Sequence, residues 1–297
     1  MRVKSRGTGS TAAVLAGRAI GMDGGAGAGV NAYAPALHDR CWMWGHDSGV
    51  YDGAGNAYNI PVSDPVSMPE AIAYMGVPNV CVVRWAPATA DTAYLSAFRG
   101  VKRFSWVACG DERKTTRQAL VDGACTAMAD YPNLTGIDFD DFFNVRGGAF
   151  TRGEIDAIRA RLSGIGGRRR EIKLVLYSHQ VRPDIKPILD RVDTVLFWTW
   201  SGSDLAVLRR NFAAYREIAP EQPTFLGIYM WDFGGAKPID MSYMRHQLDV
   251  AIELFTSGEI DGLVFHCTPL VNKNLEAVEY ARKWLKDHGE VTQANGR

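Results

Sequence analysis

From residue 39 onward, short runs of apolar and β-branched residues alternate with stretches whose apolar positions recur every three or four residues, and the alternation repeats eight times. The runs RCWMWGH (40–46), NVCVVRW (79–85), VKRFSWVACG (101–110) and LTGIDFD (134–140) predict the first four strands. IKLVLYSH (172–179), DTVLFWTW (193–200), TFLGIYMW (224–231) and DGLVFHC (261–267) predict the second four. Helix signals follow the strands. SMPEAIAYMG opens on a Ser cap with Pro near its start, and TRGEIDAIRARLSG pairs a Thr cap with Glu three residues on, a capping box. GSDLAVLRRNFAAYREIA, DMSYMRHQLDVAIELF and NLEAVEYARKWLKDHG carry apolar stripes at helical spacing.

Eight βα units over residues 39–297 match a (β/α)8 TIM barrel, whose usual size is roughly 250 residues. A doubly wound open sheet is the rival, but no GxGxxG joins the first strand to its helix, and GGAGAG at 24–29 follows no strand. The chain therefore reads as an α/β protein with a single barrel domain at 39–297, preceded at 1–38 by a flexible Gly/Ala-rich tail. A weak apolar patch in that tail ends at Ala-Tyr-Ala, as in a degraded signal peptide. Arg18 interrupts the patch and Pro35 disfavours cleavage, so the tail reading is preferred.

Charge narrows the partners. Lys plus Arg and Asp plus Glu both number 33, so the formal net charge is zero, which argues against nucleic acid as the main partner. The one dense basic run, GRRREIK at 167–173, leads into a strand, away from the expected active face, and reads as a solvated loop. No run approaches the roughly 18 apolar residues of a membrane span. The five cysteines show no CxxC or zinc spacing, and four lie in apolar strand-like runs, which fits buried thiols in a reducing compartment and slightly favours the cytoplasm.

Barrel chemistry sits at the C-terminal ends of the strands. Those ends carry Trp44, His46 and Asp47; Arg84 and Trp85; Trp106 and Asp111; Asp138, Asp140 and Asp141; Tyr177 and His179; Trp198 and Trp200; Trp231 and Asp232; and His266. Some of the tryptophans must face the helices, because strand side chains alternate. The rest form an aromatic mouth set with acids, which suits the apolar faces and hydroxyls of a sugar and predicts a small-molecule or oligosaccharide substrate. In LTGIDFDD, alternation sends Ile137 and Phe139 to the helices and Asp138 and Asp140 into the barrel, about 6.6 Å apart at Cα. Like charges so close in a poorly solvated mouth raise at least one pKa, which keeps a carboxyl protonated as a general acid.

GIDFD resembles the fourth-strand DxxDxDxE motif of chitinase-like glycoside hydrolases. Asp138 and Asp140 match its last two aspartates, while Thr135 replaces the first aspartate and Phe142 stands at the position of the catalytic glutamate. The resemblance implies a TIM-barrel glycoside hydrolase without that family's acid. Many barrel glycosidases set one carboxyl on strand 4 against another on strand 7, which here pairs Asp140 or Asp141, as acid, with Asp232, as base or nucleophile. Asp138, His46, Asp47, Trp44, Arg84, Trp85, Tyr177, His179, Trp198, Trp200, Trp231 and His266 would shape the substrate site.

Two other classes fit the same residues. A metal-dependent barrel hydrolase or isomerase would draw on His46, Asp47, His179, Asp232 and His266, although neither HxH on the first strand nor HExxH is present. A non-catalytic sugar-binding barrel would keep the aromatics and dispense with the acid. No lysine stands among the strand-end residues to form a Schiff base, and no cofactor is expected.

Overall fold

The eight apolar runs form eight parallel strands that close on themselves. In the computed structural model, which describes residues 35–53, 56–84, 90–109, 117–144 and 148–294, they are β1 (Cys41–His46), β2 (Asn79–Val83), β3 (Arg103–Cys109) and β4 (Leu134–Phe139). β5 (Glu171–Tyr177), β6 (Thr194–Trp198), β7 (Thr224–Tyr229) and β8 (Gly262–His266) complete the barrel, each pairing with its neighbours in sequence order and β8 returning to β1. The helices are α1 (Met68–Met75), α2 (Thr92–Leu95), α3 (Arg117–Ala127), α4 (Arg152–Ser163), α5 (Lys186–Leu189), α6 (Leu208–Ile218), α7 (Met241–Thr256) and α8 (Glu276–His288). This is a (β/α)8 TIM barrel. Among the described residues, no helix is long and apolar enough to cross a membrane.

Local signals place several helix starts. Ser67 and Thr151 each form a full capping box, with Glu70 and Glu154, at the first turns of α1 and α4. Asp240 caps α7 by accepting the N–H of Ser242. The expected tail lies outside the described residues up to residue 34. Leu37, placed with that tail by its sequence, is fully buried and donates its N–H to the Val291 carbonyl at 2.8 Å.

Alternation along each strand divides the barrel interior from the helical layer. Phe197 meets Phe212 and Tyr215 of α6, and Trp106 meets Tyr94 beside α2, so both face outward. Trp44 reaches Trp198 across the barrel at 6.0 Å between ring centroids, and Trp42 receives the Lys173 ammonium at 3.6 Å, so these face inward. The solvated-loop reading of GRRREIK fails for two of its cations. Arg170 is buried and donates to the carbonyls of Met128, Pro132 and Leu134, which ties the entry to β5 to the segment leading into β4. Lys173 is an interior residue of β5, 1% exposed. A basic run shows no burial in its composition, because the partners that compensate it come from other strands.

Candidate active site

At the C-terminal ends of the strands lies a cavity of about 310 Å³. β1 contributes Trp44 and His46, and the loop after it Tyr51 and Tyr58. Asp140, Asp141 and Asn144 enter from the end of β4; Val175, Tyr177 and His179 from β5 and the turn after it; Trp198 and Trp200 from β6 and the residues just beyond it. Tyr229 and Phe233 come from β7 and the loop beyond it, and His266 from β8. The aromatic mouth expected from the strand ends is thus assembled, with two carboxylates in its wall.

Alternation alone would turn Asp141 away from the mouth, since Asp140 faces in. The backbone decides otherwise: Asp141 has φ +48°, the left-handed region that non-glycine residues seldom occupy. Its N–H bonds to Asp140 Oδ1 at 2.9 Å, and the reversal brings both carboxyls to the cavity. The Tyr177 hydroxyl donates to Asp141 Oδ1 at 3.1 Å. Burial holds Asp140 well above the usual carboxylate range; the charges of Asp141 and Asp138 push it further, and the Asp141 N–H opposes them. Burial also raises Asp141, but hydrogen bonds from Tyr177 and Asn144 pull it back. Both carboxyls are thus raised, Asp140 the further of the two, so a proton held by the pair is favoured on Asp140.

The imidazoles are neutral for a different reason. Burial pushes His46 down to about 3, and burial with the nearby His46 lowers His266. Their rings stand 5.6 Å apart. His179 stacks on Tyr177, ring planes 11° apart at 5.5 Å, which backs the tyrosine that holds Asp141. Beneath them the Trp198 indole lies where a side chain of residue 227 would stand. A Cβ on Gly227 would fall 2.0 Å from Trp198 Cε3, so only glycine at this β7 position admits the ring.

The loop after β1 is tied down from the loop after β8, the neighbouring strand. Lys273 Nζ donates to Asp52 Oδ1 (2.9 Å), the Pro61 carbonyl (2.6 Å) and Ser63 Oγ (3.0 Å), while Asn56 Oδ1 accepts from the N–H groups of Tyr58 and Ile60. These contacts hold Tyr58 against Trp200 and Phe233, at 6.0 and 5.0 Å between centroids. Sequence reasoning passed over Tyr51, Tyr58, Asn144, Tyr229 and Phe233. Tyr229 was within reach of strand parity, two residues beyond Gly227 on the same inward row; the loop residues carry no periodic signal.

Several expected site residues have other work. Asp232 is buried, and its Oδ1 accepts the N–H groups of Gly202 at 2.9 Å and Gly235 at 2.8 Å, joining the loops after β6 and β7. It does not line the cavity, so the expected carboxylate pair across the mouth does not form. Asp138 lies fully buried below the mouth in an ion pair with Lys173 rather than facing substrate. Asp47 accepts the Tyr94 hydroxyl at 2.6 Å; Arg84 pairs with Asp91 and covers the Tyr94 ring at 3.9 Å. Trp231 is buried and donates its indole N–H to the Tyr58 carbonyl at 3.0 Å, supporting the mouth from behind. Trp85 and Asp111 lie outside the described residues. Because Asp47 and Asp232 are turned away, the His/carboxylate set of the metal alternative is not gathered, and among the described residues no three His, Cys, Asp or Glu cluster as metal ligands.

No protein-family model matches the chain, and no curated protein matches it in sequence. In structure it is similar to active domain 2 of the thermostable chitinase from Pyrococcus furiosus complexed with chito-oligosaccharides: 12% identity, TM-score 0.53, covering 88% of this chain and 99% of that one. Catalytic-site mutants of the same domain give 13% identity and TM-score 0.51, with 87% and 99% covered. A Rhizomucor miehei β-1,3-glucanosyltransferase in complex with laminaritriose gives 13% identity and TM-score 0.49, with 76% and 86% covered. At these identities the likeness to the chitinase domain is one of fold alone.

Proposed function

We propose that this protein is a carbohydrate-active enzyme, a glycoside hydrolase whose proton donor is Asp140. One observation carries the reading: consecutive carboxyls, Asp140 with its proton affinity raised well above the usual range and Asp141 hydrogen-bonded by Tyr177, in an aromatic-walled cavity at the C-terminal end of the barrel strands. Aromatic faces stack on the apolar side of a sugar ring, and Asp140 protonates the departing glycosidic oxygen. The Asp141 carboxylate then stabilises the positive charge that grows on the ring as the bond breaks. The test is a glycan panel assayed with Asp140→Asn and Asp141→Asn. A loss of roughly 10²–10⁴-fold is expected for the first, with folding intact. Full activity in both variants overturns the assignment.

A second reading is favoured by the place of Asp232. Consecutive residues of one strand do not flank a bond from opposite faces, so a sugar-binding barrel without turnover accounts for the same cavity. Saturable saccharide binding with no product on any substrate would establish it.

A further inference from the structure

Below the mouth the barrel interior is not filled by hydrocarbon. Lys173 Nζ stands 3.2 Å from Asp138 Oδ1 and donates to Ser105 Oγ at 2.9 Å; Ser105 in turn donates to Asp138 Oδ2. Cys81 Sγ lies 3.6 Å from the ammonium, and the Trp42 face covers it. Asp138 and Lys173 are 0% and 1% exposed and sit side by side in the β4–β5 register. Stability does not explain such a layer, since exchanging a buried ion pair for packed apolar groups is often neutral or stabilising. Placement does give it a use: Asp138 is on the same inward row as Asp140, one strand step of about 6.6 Å below it.

We propose that the Asp138–Lys173 pair is a positioning device for the mouth, in which Asp138, fixed by Lys173 and Ser105, presents a constant negative charge beneath Asp140 and keeps the proton there. The carboxylate shares the inward row of β4 with Asp140, whereas the ammonium reaches in from β5 and lies against the ring of Trp42, two residues before the cavity-lining Trp44 on β1. Like charge at this distance in a poorly solvated interior favours the neutral acid, in line with the contribution of Asp138 to the raised proton affinity of Asp140. The other groups facing Asp140 are Asp141 beside it, Tyr177 on β5 and Tyr229 on β7. Among the described residues, Tyr58 of the β1 loop, His179, and the imidazoles of His46 and His266 also line the cavity around it. Among these described groups, none supplies a second fixed negative charge below the pair.

The experiment follows the aspartate side-chain carboxyl carbons by NMR across pH in wild type, Asp138→Asn and the double variant Asp138→Asn/Lys173→Met. Removing Asp138 alone leaves the ammonium, so the proton on the mouth pair should leave at a pH lower by about one unit or more, as expected for loss of a like charge. The double variant removes both charges and should fall between the single variant and wild type. An unshifted titration of the mouth pair in folded Asp138→Asn overturns the proposal. If the single variant does not fold, the double variant decides by the same criterion. Failure of both to fold shows the pair to be a folding requirement and also ends the proposal. The titration needs no substrate, so it can fail while glycoside hydrolysis stands, or hold while hydrolysis fails. Should a substrate be turned over, the limb of the pH–rate profile set by the acid moves with the NMR titration.

Discussion

Gly227→Ala offers the sharpest test of how the cavity floor is built, because two physical effects predict opposite signs. In a strand with ordinary backbone angles, replacing Gly by Ala stabilises by about 0.4–1 kcal/mol through the unfolded chain. Here the new Cβ would lie 2.0, 2.2 and 2.6 Å from Cε3, Cδ2 and Cζ3 of Trp198. Carbon atoms rest about 3.5–4.0 Å apart, so the indole must retreat by roughly 1.5–2 Å. It is hemmed by Trp44, Tyr229 and His266 at 6.0, 5.0 and 5.7 Å between centroids, and the open space beside it is the cavity itself. Overpacking of this kind costs about 1–3 kcal/mol. At about 2–4 °C per kcal/mol for a large domain, the melting temperature should fall by about 2–12 °C. Thermal and urea unfolding measure the loss, and Trp198→Leu in the same chain should recover part of it, since the two sites share one contact. A Gly227→Ala protein within about 0.5 kcal/mol of wild type, or strict additivity with Trp198→Leu, refutes the packing argument.

Asp140→Asn should make the protein more stable than wild type at neutral pH. The folded pKa of Asp140 is raised well above that of an ordinary aspartate, so its stabilising share is full below about 4 and is lost as pH rises through the folded pKa. The advantage of the variant should therefore grow with pH from near zero at about pH 4, and urea midpoints showing a constant difference would contradict the raised pKa. Asp232→Ala strands two N–H groups, those of Gly202 and Gly235, and should cost about 2–5 kcal/mol, with Asp232→Asn milder because it keeps an acceptor. An Asp232→Ala protein of unchanged stability that has lost all turnover would return this residue to the chemistry.

The eight-fold alternation of apolar runs and helical stripes determined the barrel, because strand and helix periods are local properties that each segment writes into its own sequence. Capping boxes at Ser67 and Thr151 were legible for the same reason. So were the inward faces of Asp138 and Asp140 and the aromatic character of the mouth, which follow from strand parity once the fold is given. Parity could not foresee Asp141, whose left-handed backbone carries it back to the cavity. Nor could it separate Asp232, whose carboxylate binds two backbone N–H groups from neighbouring loops, from a residue facing substrate. Burial of Lys173 and Arg170 was hidden by the basic run that contains them, since a charge is buried or solvated according to partners distant in sequence. The sequence by itself determined the barrel and the kinds of side chain at its mouth. Tertiary structure decided which carboxyls meet, which are spent on loops and ion pairs, and where the proton rests, because these depend on desolvation and on contacts between strands that no local pattern encodes.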